Sequence, residues 1–218
     1  MEKEQYVKLL NDRPWDKIDD FFGDKDKETV EQINHINIDS SDWIQFSIDN
    51  FDLAQQKYEV PKTHYSSKTN WLCEINNTLG RNEHNSYELN YGMNGNTNSQ
   101  LIELIGKDNI EKLGIEHSSI LVRLIVNMPG NGVAWHYDDA ASYLQKFPEV
   151  NGLDDCVRLW FPVINWENGH AFQIGNSVLT HWNSGNVWCI PWGVPHASSN
   201  FGYKIKYTVS LTARKQSI

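Results

Sequence analysis

The sequence predicts a mainly β fold, a double-sheet jelly roll that carries helices at its N-terminal end. Three features predict it. Short β-branched and aromatic runs recur from residue 119 onward. Gly- and Asn-containing turn signals separate them at near-regular spacing. The first third, by contrast, spaces its apolar residues at a helical rather than an alternating period.

Taken in order, residues 4–22 carry an amphipathic helical pattern, interrupted by Pro14. Residues 28–36 predict a second short helix. The stretch 76–100 is rich in Asn, Gly and Ser and reads as loop around one strand, residues 87–91. Leu101, Ile102, Leu104, Ile105, Ile110 and Leu113 then set a helix over 99–113. Residues 120–126 are an apolar, β-branched run and predict a buried strand, followed by a turn at 128–132. Residues 157–164 form the next strand. Residues 169–174 and 177–182 pair as a hairpin through Gly175-Asn176. Strands at 186–190 and 203–212 complete the set. The expected organisation is one domain over 1–218. Residues 1–118 form a helical and irregular support, and 119–214 form the β core.

A chain of 218 residues can bury a full hydrophobic core. Its net charge of −9 argues against nucleic-acid backbone binding, which needs clustered Lys and Arg. Cys73, Cys156 and Cys189 are widely spaced and form no CxxC pair. This odd count without a pair argues against a disulfide framework or a zinc–thiolate site and fits a reducing compartment. The N-terminus, Met1-Glu2-Lys3-Glu4-Gln5, lacks signal-peptide character, and no apolar run approaches the ~20 residues of a membrane span. A soluble, cytoplasmic protein is expected. The nine Trp residues imply either an aromatic-lined pocket or plain filling of a β core. Trp135, Trp160, Trp188 and Trp192 are candidate substrate walls.

The sharpest chemical signal is Trp135-His136-Tyr137-Asp138. Alternate side chains of an extended segment point the same way, so His136 and Asp138 can face one point. A distal histidine, His196, follows in Pro191-Trp192-Gly193-Val194-Pro195-His196, near a strand end in the same sandwich. Two His and one carboxylate are the facial triad of non-haem iron(II), which leaves positions open for other ligands. An isolated HxD is weak and occurs by chance as a surface pair. The order of strand, HxD, several strands, distal His and last strand is what gives it weight. His35, His64, His84, His117 and His170 lack comparable spacing, and His181 reads as structural or substrate-facing.

A basic group in the same core would hold the far end of an anionic co-substrate. Lys204 and Lys206 share one face of the last strand with Thr208 and Ser210, and Ile205, Tyr207, Val209 and Leu211 fill the other. The plain alternative is a solvated outer face. Arg158 lies in the otherwise apolar Cys156-Val157-Arg158-Leu159-Trp160-Phe161-Pro162, where it either binds a carboxylate or points to water. Arg214 is a third candidate near the chain end.

With these residues in place, the segment 120–212 resembles the double-stranded β-helix, a cupin-like jelly roll, of the 2-oxoglutarate/Fe(II)-dependent oxygenases. It is most similar to their aspartyl/asparaginyl β-hydroxylase branch. The matching features are His136 in a Trp-His context and Arg158 in Arg-Leu-Trp-Phe-Pro. Trp182-Asn183-Ser184-Gly185 and a strand leading to His196 follow, then Asn200 and the basic Lys206 on the final strand. The resemblance implies iron(II) on His136, Asp138 and His196. It further implies 2-oxoglutarate gripped at its far carboxylate by Lys206, with Arg158 assisting or holding a substrate carboxylate. O₂ is then used to hydroxylate an amino-acid side chain, free or in a peptide. Two departures stand out. The branch places Arg where Lys206 stands, although Lys fills this role in the collagen prolyl hydroxylase branch. Asp138 is present where some β-hydroxylases lack the carboxylate. Two other functions compete: a cupin-like metal enzyme that does not use 2-oxoglutarate, and a non-catalytic Trp-rich β-sandwich binding module.

Overall fold

The computed structural model describes residues 3–12, 30–57, 86–90, 96–136, 138 and 140–216. Eight strands build the centre: β4 (Leu121–Asn127), β5 (Gly132–His136), β6 (Cys156–Pro162), β7 (His170–Ile174), β8 (Ser177–Leu179), β9 (Asn186–Cys189), β10 (His196–Asn200) and β11 (Lys206–Arg214). They form two antiparallel sheets. One contains the order β9-β6-β11-β4, the other the order β5-β10-β7-β8. The chain changes sheet at every connection except β7–β8, and this alternation defines a double-stranded β-helix. The β7–β8 hairpin closes through Gly175-Asn176, with Ile174 opposite Ser177, as the turn chemistry predicts.

The larger sheet is extended on both sides. β1 (Gln32–His35) pairs with the edge of β9. β3 (Ser86–Asn90) pairs with β4, and β2 (Gln55–Lys57) pairs with β3, making seven strands. The short helix expected over 28–36 is therefore a strand where it is described. The exposed edge of β9 needs partners for its backbone groups, and Ile36 N–H also donates to Gly185 O at 2.8 Å. Helix α1 (Lys3–Asp12) opens the amphipathic pattern seen over 4–22, and the rest of that pattern lies outside the described residues. The helix that does follow β1 is α2 (Ser40–Asp49), capped by the Asp39 carboxylate accepting from Ser41 N–H at 2.9 Å. The helix expected over 99–113 is two, α3 (Thr97–Ile105) and α4 (Lys107–Leu113). Gly106 breaks it at φ 80°, a conformation that costs glycine little.

Strand β11 divides two interiors. Tyr207, Val209 and Leu211 join a core with Trp43, Ile36, Leu101, Ile105 and Ile110, so the helices cover the outer face of the larger sheet. Trp43 packs edge-on against Phe161, with ring centroids 6.1 Å apart. Between the sheets lies a second cluster of Trp160, Phe172, Ile174, Trp182, Trp188, Ile190 and Val194. Trp160 stacks on Phe172 at 4.5 Å, so Trp160 and Trp188 belong to this core rather than to an open wall. Lys206 and Thr208 of β11 are buried on this side. Among the described residues no helix is long and apolar enough to cross a membrane.

Gly185 joins the support layer to the barrel. Its φ is 79°, and a Cβ there would stand 2.0 Å from Ile36 O. Gly185→Ala should therefore destabilise the fold by about 2–4 kcal/mol. Urea unfolding should show this as a lower midpoint with an unchanged m-value.

Candidate metal centre

Histidines 136 and 196 meet because their strands pair. β10 runs antiparallel to β5, and His196 lies directly opposite His136. His136 ends β5, while His196 opens β10 rather than closing the strand before it. The two imidazoles lie 4.1 Å apart. In each ring Nδ1 faces a backbone carbonyl two residues upstream, Ala134 O at 2.9 Å and Val194 O at 3.0 Å. A carbonyl only accepts, so Nδ1 carries the hydrogen and Nε2 presents its lone pair. That is the tautomer a metal ligand needs.

Asp138 completes the group. Its Oδ2 lies 3.3 Å from His196 Nε2 and 4.0 Å from His136 Nε2. One ligand atom from each of the three residues falls within 4.8 Å of the others. Cis ligands bound at about 2.1 Å stand about 3 Å apart; the 3.3 Å pair is close to that spacing and the 4.0 Å pair is wider, so the three side chains could hold a divalent ion with modest adjustment. Burial pushes the Asp138 carboxyl up, but Arg158, His196 and His136 outweigh it and hold it well below the usual carboxylate range. Burial, then Arg158, pushes His196 down, so it stays neutral as a ligand must.

Arg158 is buried and ion-pairs with Asp138, and its Nη2 also lies 3.0 Å from His196 Nε2. An arginine only donates, so it addresses the same lone pairs that a metal ion would use. Of the other cations weighed from the sequence, Lys204 is exposed and pairs with Glu167 at 2.7 Å, and Arg214 pairs with Glu116 at 3.6 Å. Neither faces the barrel interior. Tyr137 and Cys73 lie outside the described residues, and Cys156 and Cys189 are free thiols. His181 is exposed and stacks on Trp166.

Lys206 is 0% exposed. Its Nζ donates to Ala171 O and Ser198 Oγ, each at 2.6 Å, and to Ser199 O at 3.3 Å. All three acceptors are neutral, and among the described residues no carboxylate pairs with it. Burial pushes its ammonium down to about 7. Ser198, Asn127 and Trp182 surround it; Ser198 and Asn127 were not singled out from the sequence, and Trp182 was named only within the Trp182-Asn183-Ser184-Gly185 motif. Ser198 stands two residues beyond His196, so strand alternation gives it the same face. Asn127 sits opposite Lys206, where the apolar run of β4 ends.

No protein-family model and no curated protein matches the chain. Among solved structures it is similar to a protein with a double-stranded β-helix domain from Klebsiella pneumoniae (18% identity over 44% of this chain and 69% of that one, TM-score 0.31). It is similar also to a predicted oxalate decarboxylase from Thermotoga maritima (13%, 48% and 73%, TM-score 0.32). A third is a cupin 2 conserved barrel domain protein from Salinispora arenicola (12%, 44% and 63%, TM-score 0.30).

The buried lysine makes stability depend on pH. Its folded value of about 7 lies below the 10.5 of a free lysine, so the folded chain binds fewer protons between them. Stability should therefore rise with pH through that window, and the cost of burying the charge is fully present below it. With no added anion, urea unfolding from pH 6 to 10 should show a Lys206 contribution of up to about 1.4 kcal/mol per pH unit. Lys206→Met should remove that contribution.

Proposed function

We propose that this chain is an Fe(II)- and 2-oxoglutarate-dependent dioxygenase that hydroxylates an amino-acid side chain, free or in a peptide. The observation that carries the proposal is the buried ammonium of Lys206, without a carboxylate partner among the described residues, in the barrel that also holds the triad. Two histidines and a carboxylate alone suit many metal enzymes. A buried, unneutralised cation beside them calls for an anionic ligand, because charge is seldom left buried without a partner.

In this assignment His136, Asp138 and His196 hold the iron, and the far carboxylate of 2-oxoglutarate pairs with Lys206. Lysine offers a point charge where arginine would offer a planar fork, so neighbouring donors must supply the directionality. Arg158 stays with Asp138, offsets its charge and orients it. The bound iron and 2-oxoglutarate supply the oxidising chemistry: O₂ and 2-oxoglutarate are consumed, succinate and CO₂ leave, and a substrate C–H becomes C–OH. The chain's own task is to place these groups inside a dry barrel and to bring the substrate to them. The net charge of −9 favours a small-molecule or peptide substrate over a nucleic acid.

Anaerobic addition of iron(II) and 2-oxoglutarate to metal-free protein should give the weak visible charge-transfer band of a chelated complex. His136→Ala should abolish it. Lys206→Ala should need about 30-fold more 2-oxoglutarate, because one half of a buried charge pair is gone. Iron binding without a band at saturating 2-oxoglutarate would instead favour a cupin-like metal enzyme. Absence of iron binding would favour the Trp-rich binding module.

A further inference from the structure

We infer that the end of the barrel around Lys206 is a stand-alone carboxylate anchor, in which the Asn127 amide and the Trp182 indole N–H donate to the ligand beside the ammonium. The ligand's identity as a dicarboxylate rests on the proposed function. The donor set itself rests on geometry.

The polarity of one hydrogen-bond chain fixes the first added donor. An ammonium has only donors, so Ser198 Oγ accepts from Lys206 at 2.6 Å. The Ser198 hydroxyl hydrogen is then directed to Asn127 Oδ1, 3.5 Å away. This orients the Asn127 amide and leaves Nδ2 as its outward group. Asn127 is 0% exposed, and Nδ2 finds no partner in the protein. Asn127 also lies directly opposite Lys206 in the pairing of β11 with β4.

The second added donor is the indole of Trp182. Trp182 is 3% exposed, and its Nε1, which can only donate, has no partner. The Lys206 ammonium stands 5.7 Å from its ring centroid. The backbone holds this indole inward. His181, the residue before it, has φ 57°, a left-handed conformation that costs a residue with a Cβ. His181 stacks on Trp166 at 4.1 Å, and Trp166 N–H donates to Trp182 O at 2.9 Å.

His170 Nδ1 is also unpaired, but its chemistry differs. Its Nε2 faces Lys204 O at 3.0 Å and so carries the hydrogen, leaving Nδ1 an acceptor outside the donor set. The Lys206 hydrogens are held by Ala171 O, Ser198 Oγ and Ser199 O, so the amide and the indole are the two unmatched donors beside one buried charge that lacks a counter-charge. Unmatched buried donors are costly, and a carboxylate, with two oxygens and about four lone-pair sites, answers both and supplies the counter-charge.

The test is calorimetric titration of the full chain, freed of divalent metal with EDTA, with glutarate and with its neutral diamide. Glutarate has the length of 2-oxoglutarate but no keto group. Wild type should bind glutarate and not the diamide. Lys206→Met and Asn127→Asp should lose binding, the latter because an aspartate would itself neutralise Lys206. Trp182→Phe keeps an aromatic ring but removes the indole N–H, and should bind about tenfold more weakly. Far-UV circular dichroism confirms that each variant is folded. If glutarate binds wild type but Asn127→Asp and Trp182→Phe bind it equally well, the donor set is wrong while Lys206 remains the grip. If glutarate fails to bind although the iron–2-oxoglutarate band forms, the stand-alone anchor is overturned and the proposed function survives. If glutarate binds and no band forms with iron, the anchor holds and the oxygenase assignment falls. If neither occurs, both fall.

Discussion

The antiparallel register of β5 with β10 is the constraint on which the rest of the site depends. It sets His196 opposite His136 and so brings together two histidines that lie 60 residues apart in sequence. Strand side chains alternate, so a slip of one residue would turn one histidine to the other face of the sheet. The register shifts immediately beyond this pair, where three steps along β5 from His136 to Val133 match two along β10 from His196 to Ser198, so the extra residue lies on β5. Pairing of β10 with β7 on its other side, from His196 opposite Ile174 to Asn200 opposite His170, holds β10 in that register.

The same alternation divides labour along β11. Its outward residues are apolar and complete the core under the helices, whereas its inward residues are polar and reach the site. One strand therefore completes the core through one face and carries a buried ammonium on the other. The helical layer bears on the barrel interior through this strand: it buries the outer face and so helps to fix the positions of Lys206 and Thr208 on the inner one. A desolvated ammonium is a destabilising element, and the apolar burial on the opposite face helps to offset it.

Much of this was legible in the residues. The β runs from 120 onward, the Gly175-Asn176 hairpin and the HxD followed by a distal His were all visible, because each depends on local chemistry or on a period of two. Less was legible in the support layer. Residues 32–35 became a strand because β9 offers an edge, which is a tertiary demand with no local signature. Gly106 divided a continuous helical pattern, and its backbone angle outweighed the spacing on either side. In the site, the sequence left Lys204, Lys206, Arg158 and Arg214 in competition. Only folding separates them, because burial and ion pairing with Glu167, Asp138 and Glu116 are long-range facts. Asn127 and Ser198 were hidden for the same reason, and Trp182 was visible as part of a motif but not as a neighbour of Lys206. Each is an ordinary residue type made notable only by its position around one ammonium.

The backbone carbonyls that face the two histidine rings have an electronic consequence. A neutral carbonyl enriches an imidazole less than a carboxylate in the same place would. All the formal negative charge of the triad therefore comes from Asp138, and Arg158 offsets it. Among the described residues, this end of the barrel thus adds little anionic field beyond the Asp138–Arg158 pair. Because the clamps are peptide groups, this electronic setting is written into strand geometry and persists whatever side chains line the approach.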